Sequence, residues 1–350
     1  MNKILVTGGS GFIGSHTCFY LLSEGYDIYV LDSLVNSSIK SLEQIKEIFR
    51  KENKDITNQL TFFRGDLRNK EFLNSIFENA IKENNPIKGV IHFAGLKAVA
   101  ESVSRPLLYW DNNVIGSYNL ISSMKKYNCK TIVFSSSATV YGDSSLDLIN
   151  ENSPLNPTNP YGTTKLATEN LLSNINQTIN QDWRIAVLRY FNPIGAHQSG
   201  FIGENPLQKP NNIFPIIINS AYSQEKLKVF GKDWETFDGT CIRDYIHVMD
   251  LAEGHLKALD FLFKNEPQLL TLNIGTGKGR SVLELIKTFE TVNNVSVPFE
   301  FEKRRAGDVC KLVADNRKTK TVLNWSPSRS LDEMCRDGWR WKCSNPLGYE

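Results

Sequence analysis

Lys3-Ile4-Leu5-Val6-Thr7-Gly8-Gly9-Ser10-Gly11-Phe12-Ile13-Gly14 runs from a short apolar strand through a glycine-spaced turn into a helical pattern that continues to Leu22. A second apolar run, Ile28-Tyr29-Val30-Leu31, closes in Asp32 and completes a βαβ unit. Glycines at 8, 11 and 14 let a pyrophosphate come close to the amides at the helix N-terminus, where the dipole also favours negative charge. Asp32 follows at about the 20-residue distance at which a carboxylate accepts from a ribose hydroxyl and repels a 2′-phosphate. The stretch predicts a dinucleotide site on a Rossmann sheet, for NAD rather than NADP.

The alternation continues outward. Leu60-Thr61-Phe62-Phe63 precedes Gly65-Asp66-Leu67, a helix is expected near 70–83, and Gly89-Val90-Ile91-His92-Phe93 precedes Ala94-Gly95. Further strands are expected at 131–135 and 185–189. Such alternation predicts an α/β fold, a doubly wound parallel sheet whose ligands bind beyond the carboxyl ends of the strands. At those ends Asp66 and Lys97 read as cofactor contacts or as ordinary loop charges. Ser135-Ser136-Ser137-Ala138-Thr139 presents a hydroxyl at the same edge, or serves only as turn chemistry. In Asn159-Pro160-Tyr161-Gly162-Thr163-Thr164-Lys165 a Tyr and a Lys stand four apart on one helical face. A neighbouring ammonium favours phenolate over phenol, which would prepare Tyr161 to take a proton from an alcohol.

From about 191 to 245 the chain turns rich in Asn, Gly and Pro, with loops between short apolar runs, a pattern that commonly forms binding sites on a rigid sheet. Helices are expected again at 248–263 and 281–291, and Arg304-Arg305-Ala306-Gly307-Asp308 breaks the chain as a phosphate clamp or a solvated basic pair. Residues 1–190 are therefore expected to form the NAD-binding domain, with about 240–262 returning to it. Residues 191–350 are expected to form mainly a smaller, mixed α/β substrate-binding domain.

In 350 residues, 40 Lys plus Arg balance 38 Asp plus Glu to a net charge of +2, which gives no support to a nucleic-acid or polybasic membrane role. No apolar run is long enough to span a bilayer, and a strand beginning at Ile4 leaves no room for a signal peptide, so a soluble cytoplasmic protein is expected. The six cysteines lie far apart without a Cys-x-x-Cys pair, and the five histidines show no ligand spacing, so reduced thiols and no metal are expected.

With the glycine turn, Ser137 and Tyr161-x-x-x-Lys165 in this order, the chain resembles the extended short-chain dehydrogenase/reductase superfamily, and within it the UDP-galactose (UDP-glucose) 4-epimerase family. The likeness runs nearly end to end, through Val6–Thr17, His92–Val99, Phe134–Gly142, Leu188–Asn192, Gly239-Thr240, Arg243–Val248 and Arg304–Asp308. The resemblance implies that Tyr161 takes the O4 proton. Lys165 would lower the Tyr161 pKa and bind the nicotinamide ribose, and Ser137 would donate to the sugar hydroxyl. It implies cofactor contacts from Gly8, Gly11, Phe12, Ile13, Gly14, Asp32, Asn36, Ser37, Asp66, Leu67, Phe93, Ala94, Gly95, Lys97, Asn112 and Tyr190. Lys97, Ala138, Thr139, Asn192, Asn211, Asn212, Arg243, Arg305, Asp308 and Leu312 are similar to the positions that hold the UDP-sugar.

What this implies is a C4 epimerisation of UDP-glucose and UDP-galactose through a 4-ketose, with NAD regenerated in each turnover. Leu312, at the position that sizes the sugar pocket, leaves N-acetylhexosamine substrates open. A 4,6-dehydratase would place an Asp-Glu pair beside Ser137, where this chain has Ala138-Thr139. A UDP-glucuronate epimerase or a silent NAD-sensing regulator are the remaining readings. The family's dimer implies a homodimer here through helices at about 100–126 and 161–176, with an apolar stripe including Leu107, Leu108 and Leu120.

Overall fold

The computed structural model describes residues 2–144, 146–177, 182–207, 210–305 and 308–349. Thirteen strands follow in chain order: β1 (Lys3–Thr7), β2 (Asp27–Asp32), β3 (Leu60–Arg64), β4 (Ile87–His92), β5 (Thr131–Ser137), β6 (Arg184–Tyr190), β7 (Asn192–Ile194), β8 (Leu227–Phe230), β9 (Ile242–His247), β10 (Gln268–Ile274), β11 (Gly279–Ser281), β12 (Phe299–Glu302) and β13 (Lys311–Leu312). Seven of them form one parallel sheet in the order β3-β2-β1-β4-β5-β6-β10. The chain reverses direction across the sheet between β1 and β4, which opens a crevice at their carboxyl ends.

Alternation of side chains along each strand divides the core between the two faces. Ile4 and Val6 join a layer with Leu21, Leu251, Leu256 and Leu259, while Leu5 joins Leu73, Phe77, Leu120 and Met124 on the opposite face. Strands buried on both faces are near-continuously apolar, as β1 is. The helix Val248–Lys264 packs beside Phe12–Ser23, and β10 completes the sheet, so chain from beyond residue 240 contributes to the layer built by the first half.

The remaining chain gathers around β9. Its first residues pair with β11 and β13, setting Arg243 opposite Leu312, and its later residues pair with β7, setting Tyr245 opposite Asn192. Buried Asp244 ties this strand to its surroundings, accepting from Thr276 N and Oγ1, Gly277 N and Ala314 N. Burial raises its pKa, and those four donors oppose the rise.

Two expectations are corrected. The Asn- and Pro-rich segment contains a helix, Ile213–Ser223. Pro215 does not prevent it, since it lies in the first turn, where the lost N–H has no helical partner anyway. Phe214, Ile217 and Ala221 bury one face of it. Nor is 100–126 one continuous helix. Arg105, which precedes a proline, is held at φ −134, and a π turn at Trp110–Ile115 separates Pro106–Tyr109 from Gly116–Lys126. The expected stripe is split accordingly: Leu107 is 82% exposed while Leu120 is fully buried in the sheet layer.

Candidate active site

Two cavities open at the carboxyl edge of the sheet. The first, about 240 Å³, follows the glycine turn and is lined by Gly8, Gly11, Phe12, Ile13, Gly14, Asp32, Ser37, Asp66, Leu67, Phe93, Ala94, Tyr161 and Lys165. The second, about 640 Å³, is lined by Ser137, Ala138, Thr139, Asn192, Asn211, Asn212, Arg243, Arg305, Asp308 and Leu312. Asn36, Gly95, Lys97, Asn112 and Tyr190 line both. Every site residue named from the sequence thus borders one cavity or the other. Ala306 and Gly307, within the Arg304–Asp308 string, lie outside the described residues.

The turn that ends β1 is built for close approach. Gly8 has φ +70, and a Cβ there would lie 2.7 Å from Ala94 N; a Cβ on Gly14 would lie 2.2 Å from Gly8 O. Only hydrogen side chains fit, and the amides opening Phe12–Ser23 are left facing the cavity. Asp32 closes the far wall, accepting from Ser10 N at 3.0 Å, Leu34 N at 2.9 Å and Ser37 Oγ at 2.8 Å. The buried Ser10 Oγ has no partner among the described residues. Asp66 lines the same cavity but is already bonded to Arg68 at 2.6 Å, which holds its carboxyl below the usual range.

The helix Pro160–Asn176 begins for local reasons. Asn159 Oδ1 caps Gly162 N at 2.9 Å, and Pro160 occupies the first helical position, where its missing N–H costs nothing. Tyr161 and Lys165 follow on one face. Ser137 Oγ, at the end of β5, accepts from Thr139 N at 3.2 Å and Thr139 Oγ1 at 3.0 Å, which leaves its own proton free to donate. That hydroxyl favours the phenolate form of Tyr161.

Charge in this corner departs from the simple expectation. Lys165 Nζ donates to Ser135 O at 2.7 Å and stands 5.9 Å from the Tyr161 ring centre. Tyr161 lines the first cavity and is half-buried. Burial pushes its pKa up to about 12, and the Ser137 bond pulls the other way. Burial also brings the Lys165 ammonium down to about 8, opposed by the Glu169 carboxylate one turn on. The expected lowering of the Tyr161 pKa is therefore not supplied by Lys165 alone, because loss of solvation outweighs an ammonium at this distance. Glu169 is itself buried and held by Ser136 Oγ and by a two-pronged pair with Arg189, whose closer contact is 2.6 Å.

In the second cavity the basic pair resolves into different roles. Arg304 is committed to Asp233 at 2.9 Å and stacks on Trp234, whereas Arg305 lines the cavity, bonded to Asp308 at 2.9 Å. Arg243 enters from β9, so two guanidinium groups face one space. Asn113, in the π turn, was not singled out from the sequence; it accepts from Leu96 N at 2.8 Å and donates to Thr164 Oγ1 at 3.0 Å. It thereby fixes the Gly95-Leu96-Lys97 loop against the Tyr161 helix. Sequence reading also missed Glu204 and Tyr349 at the cavity walls. The first lay in a segment flagged only for its loops, and the second gave no local signal.

A protein-family model described as GDP-mannose 4,6 dehydratase matches residues 5–338. The UDP-glucose 4-epimerase of Bacillus subtilis (strain 168) is 51% identical over 348 residues, covering 99% of this chain and 98% of that protein. The chain belongs to the UDP-glucose 4-epimerase family of extended short-chain dehydrogenases/reductases. Among solved structures, the UDP-glucose 4-epimerase from Stenotrophomonas maltophila with bound NAD and formylated UDP-arabinopyranose superposes with a TM-score of 0.92 at 41% identity, covering 99% of both chains. That from Bifidobacterium longum, in complex with NAD+ and UDP, gives 0.91 at 41% identity, covering 99% of this chain and 100% of that one. The seven-stranded sheet with a smaller mixed domain is thus the architecture of this family. Among the described residues no helix is long and apolar enough to cross a membrane, and no three His, Cys, Asp or Glu side chains gather as a metal site.

Proposed function

We propose that this chain interconverts UDP-glucose and UDP-galactose by inversion at C4 through a transient 4-ketose, with NAD held through the cycle. The observation that carries the reading is that Tyr161 lines the glycine-turn cavity while Ser137, whose hydroxyl favours the phenolate, lines the adjoining one. This supports a proton acceptor where the glycine-turn cavity meets the one walled by Arg243 and Arg305. The glycine turn, the Asp32 carboxylate and the unpartnered Ser10 hydroxyl fit a dinucleotide. Bound NAD+ supplies a reversible hydride acceptor for C4 and a positive charge near the phenol.

The chain's own groups do the rest. Tyr161 takes the O4 proton and returns it, Lys165 offers positive charge on its far side, and Ser137 orients the hydroxyl. Arg243 and Arg305 hold the diphosphate, whose charge a near-neutral protein must meet locally. Around the hexose the wall at Ala138 and Leu312 offers little polar grip. Firm hold on UDP and loose hold on the sugar leave the ketose free to turn its other face, which uniform tight binding would oppose. Ala138-Thr139 supplies no carboxylic acid, so water loss from the sugar, as in a 4,6-dehydratase, has no catalyst there.

Leu312 favours a second reading as well. Its side chain is half-buried against the cluster that includes Phe191 and lines a cavity of about 640 Å³, an aliphatic wall smaller than an aromatic one would be. The division of labour follows: residues 1–190 with about 240–262 hold NAD, and most of 191–350 holds the UDP-sugar. The exposed Val99, Val103, Leu107, Trp110, Ile115 and Tyr118 support a homodimer through this segment and the neighbouring Pro160–Asn176 helix. All six cysteines are free thiols, which suits a cytoplasmic enzyme.

The test incubates purified protein, without added reductant, with UDP-galactose and separately with UDP-N-acetylgalactosamine, and separates the 4-epimers by chromatography. Conversion of the first establishes the epimerase, conversion of both makes it dual-specific, and conversion of neither by folded, NAD-loaded protein overturns the reading.

A further inference from the structure

The two cavities share a carboxylate that the mechanism above does not use. Glu204 lines both, and its side chain is only 10% exposed. Its Oε1 meets Lys97 Nζ at 3.4 Å, while its Oε2 is buried and has no hydrogen-bond partner among the described residues. The loop that carries it is held from behind by the C-terminal end of the described chain. Gly203 N donates to the Tyr349 hydroxyl at 3.0 Å, and that hydroxyl donates to Gly203 O at 3.2 Å. Asn345 Nδ2 donates to Gly200 O at 2.8 Å and Arg340 to Gln198 O at 2.6 Å. Glu204 is therefore a fixed group and not a surface acid swung inward.

Buried acceptors in native proteins are bonded, and a carboxylate oxygen left without a donor in a ligand cavity marks the place of one. We propose that Glu204 is a ligand-binding residue whose Oε2 accepts a hydrogen bond from a hydroxyl or amide N–H where the nicotinamide end of the cofactor meets the hexose, while Oε1 holds Lys97. The inference rests on the reading of the two cavities given above. A carboxylate repels phosphate, so neither diphosphate is its partner. Two donors of the same chemistry remain, one on the cofactor's nicotinamide riboside and one on the hexose.

The experiment compares full-length wild type with Glu204→Ala and Glu204→Gln. It reads the NAD content and NAD release rate of the purified proteins, the Kd of UDP, which lacks a hexose, the KM and kcat for UDP-galactose, and Tm. Glu204→Ala is expected to weaken one ligand about ten- to a hundredfold, the range for losing a hydrogen bond to a charged group, with Gln recovering part of it and UDP binding unchanged. Faster NAD release assigns the donor to the cofactor; raised KM with NAD retained assigns it to the hexose. Unchanged NAD release and KM would overturn the proposal, as would a lower Tm that weakens UDP in parallel, which is the mark of a merely structural role. If wild type does not convert UDP-galactose, the proposed function fails and the hexose donor with it, and NAD release then decides the cofactor donor: faster release from Glu204→Ala supports it and unchanged release overturns it.

Discussion

At the scale of single residues, the site sets burial against charge. The Tyr161 phenol, raised to about 12 by burial, needs both the Ser137 bond and nearby positive charge to act as a base near neutrality. Replacing it by Phe removes the proton acceptor without disturbing the ring. Turnover should fall by about 10²–10⁴-fold with NAD content unchanged, measured by epimer separation and by absorbance of the released cofactor. Lys165 gives a prediction with a definite sign. Its folded pKa, about 8, lies below its ordinary value of 10.5, so between these values the unfolded chain binds more protons. Its cost to stability is fully present below pH 8 and is relieved as pH rises toward 10.5. Lys165→Met should therefore be inactive yet more stable than wild type at pH 7, by about 1–3 kcal/mol after losing the bond to Ser135 O. That margin should shrink at pH 10, as read from thermal melts at both pH values.

Helices and turns place these residues, and at this scale much was legible beforehand. The cap at Asn159, the proline after it and the four-residue spacing of Tyr161 and Lys165 are local facts that survive folding. So is the glycine turn, because its conformation depends on side chains that are absent. Gly14→Ala would put a Cβ 2.2 Å from Gly8 O and force the turn open. The expected result is a protein purified with little or no NAD, its Tm reduced. A variant carrying its full complement of NAD would contradict the cradle. The π turn at 110–115 was not legible, since its register is decided by what Asn112 and Asn113 must reach. Asn113 is buried because it bonds the 95–97 loop and the Tyr161 helix at once, and that pairing spans residues distant in sequence.

Across the whole molecule the question is which apolar surface stays uncovered. Leu107 is exposed beside Val103, with Trp110, Ile115 and Tyr118 along the same segment, while the neighbouring helix Pro160–Asn176 buries Lys165, Thr168, Glu169 and Leu172. If a second copy covers this face, Leu107→Glu should yield a folded monomer by sedimentation at concentrations where wild type is dimeric. Its circular dichroism should be unchanged, since Leu107 supports no core. A dimer that persists in this variant would place the interface elsewhere.

The sequence by itself determined the doubly wound sheet, the glycine turn with Asp32, and the Tyr161–Lys165 helix. Each rests on periodicity, capping or a missing side chain, properties that act within a few neighbouring residues. Only the tertiary structure decided that Arg304 is spent on Asp233 and Trp234 beside the cavity-facing Arg305, that Leu107 and Leu120 part to opposite sides, and that Glu204 stands where the cavities meet. These outcomes depend on partners far along the chain, Asp233 for Arg304 and Tyr349 for the Glu204 loop. Burial, too, exists only once the chain has closed, which is why Tyr161 and Lys165 were visible as a pair but the direction of their pKa values was not.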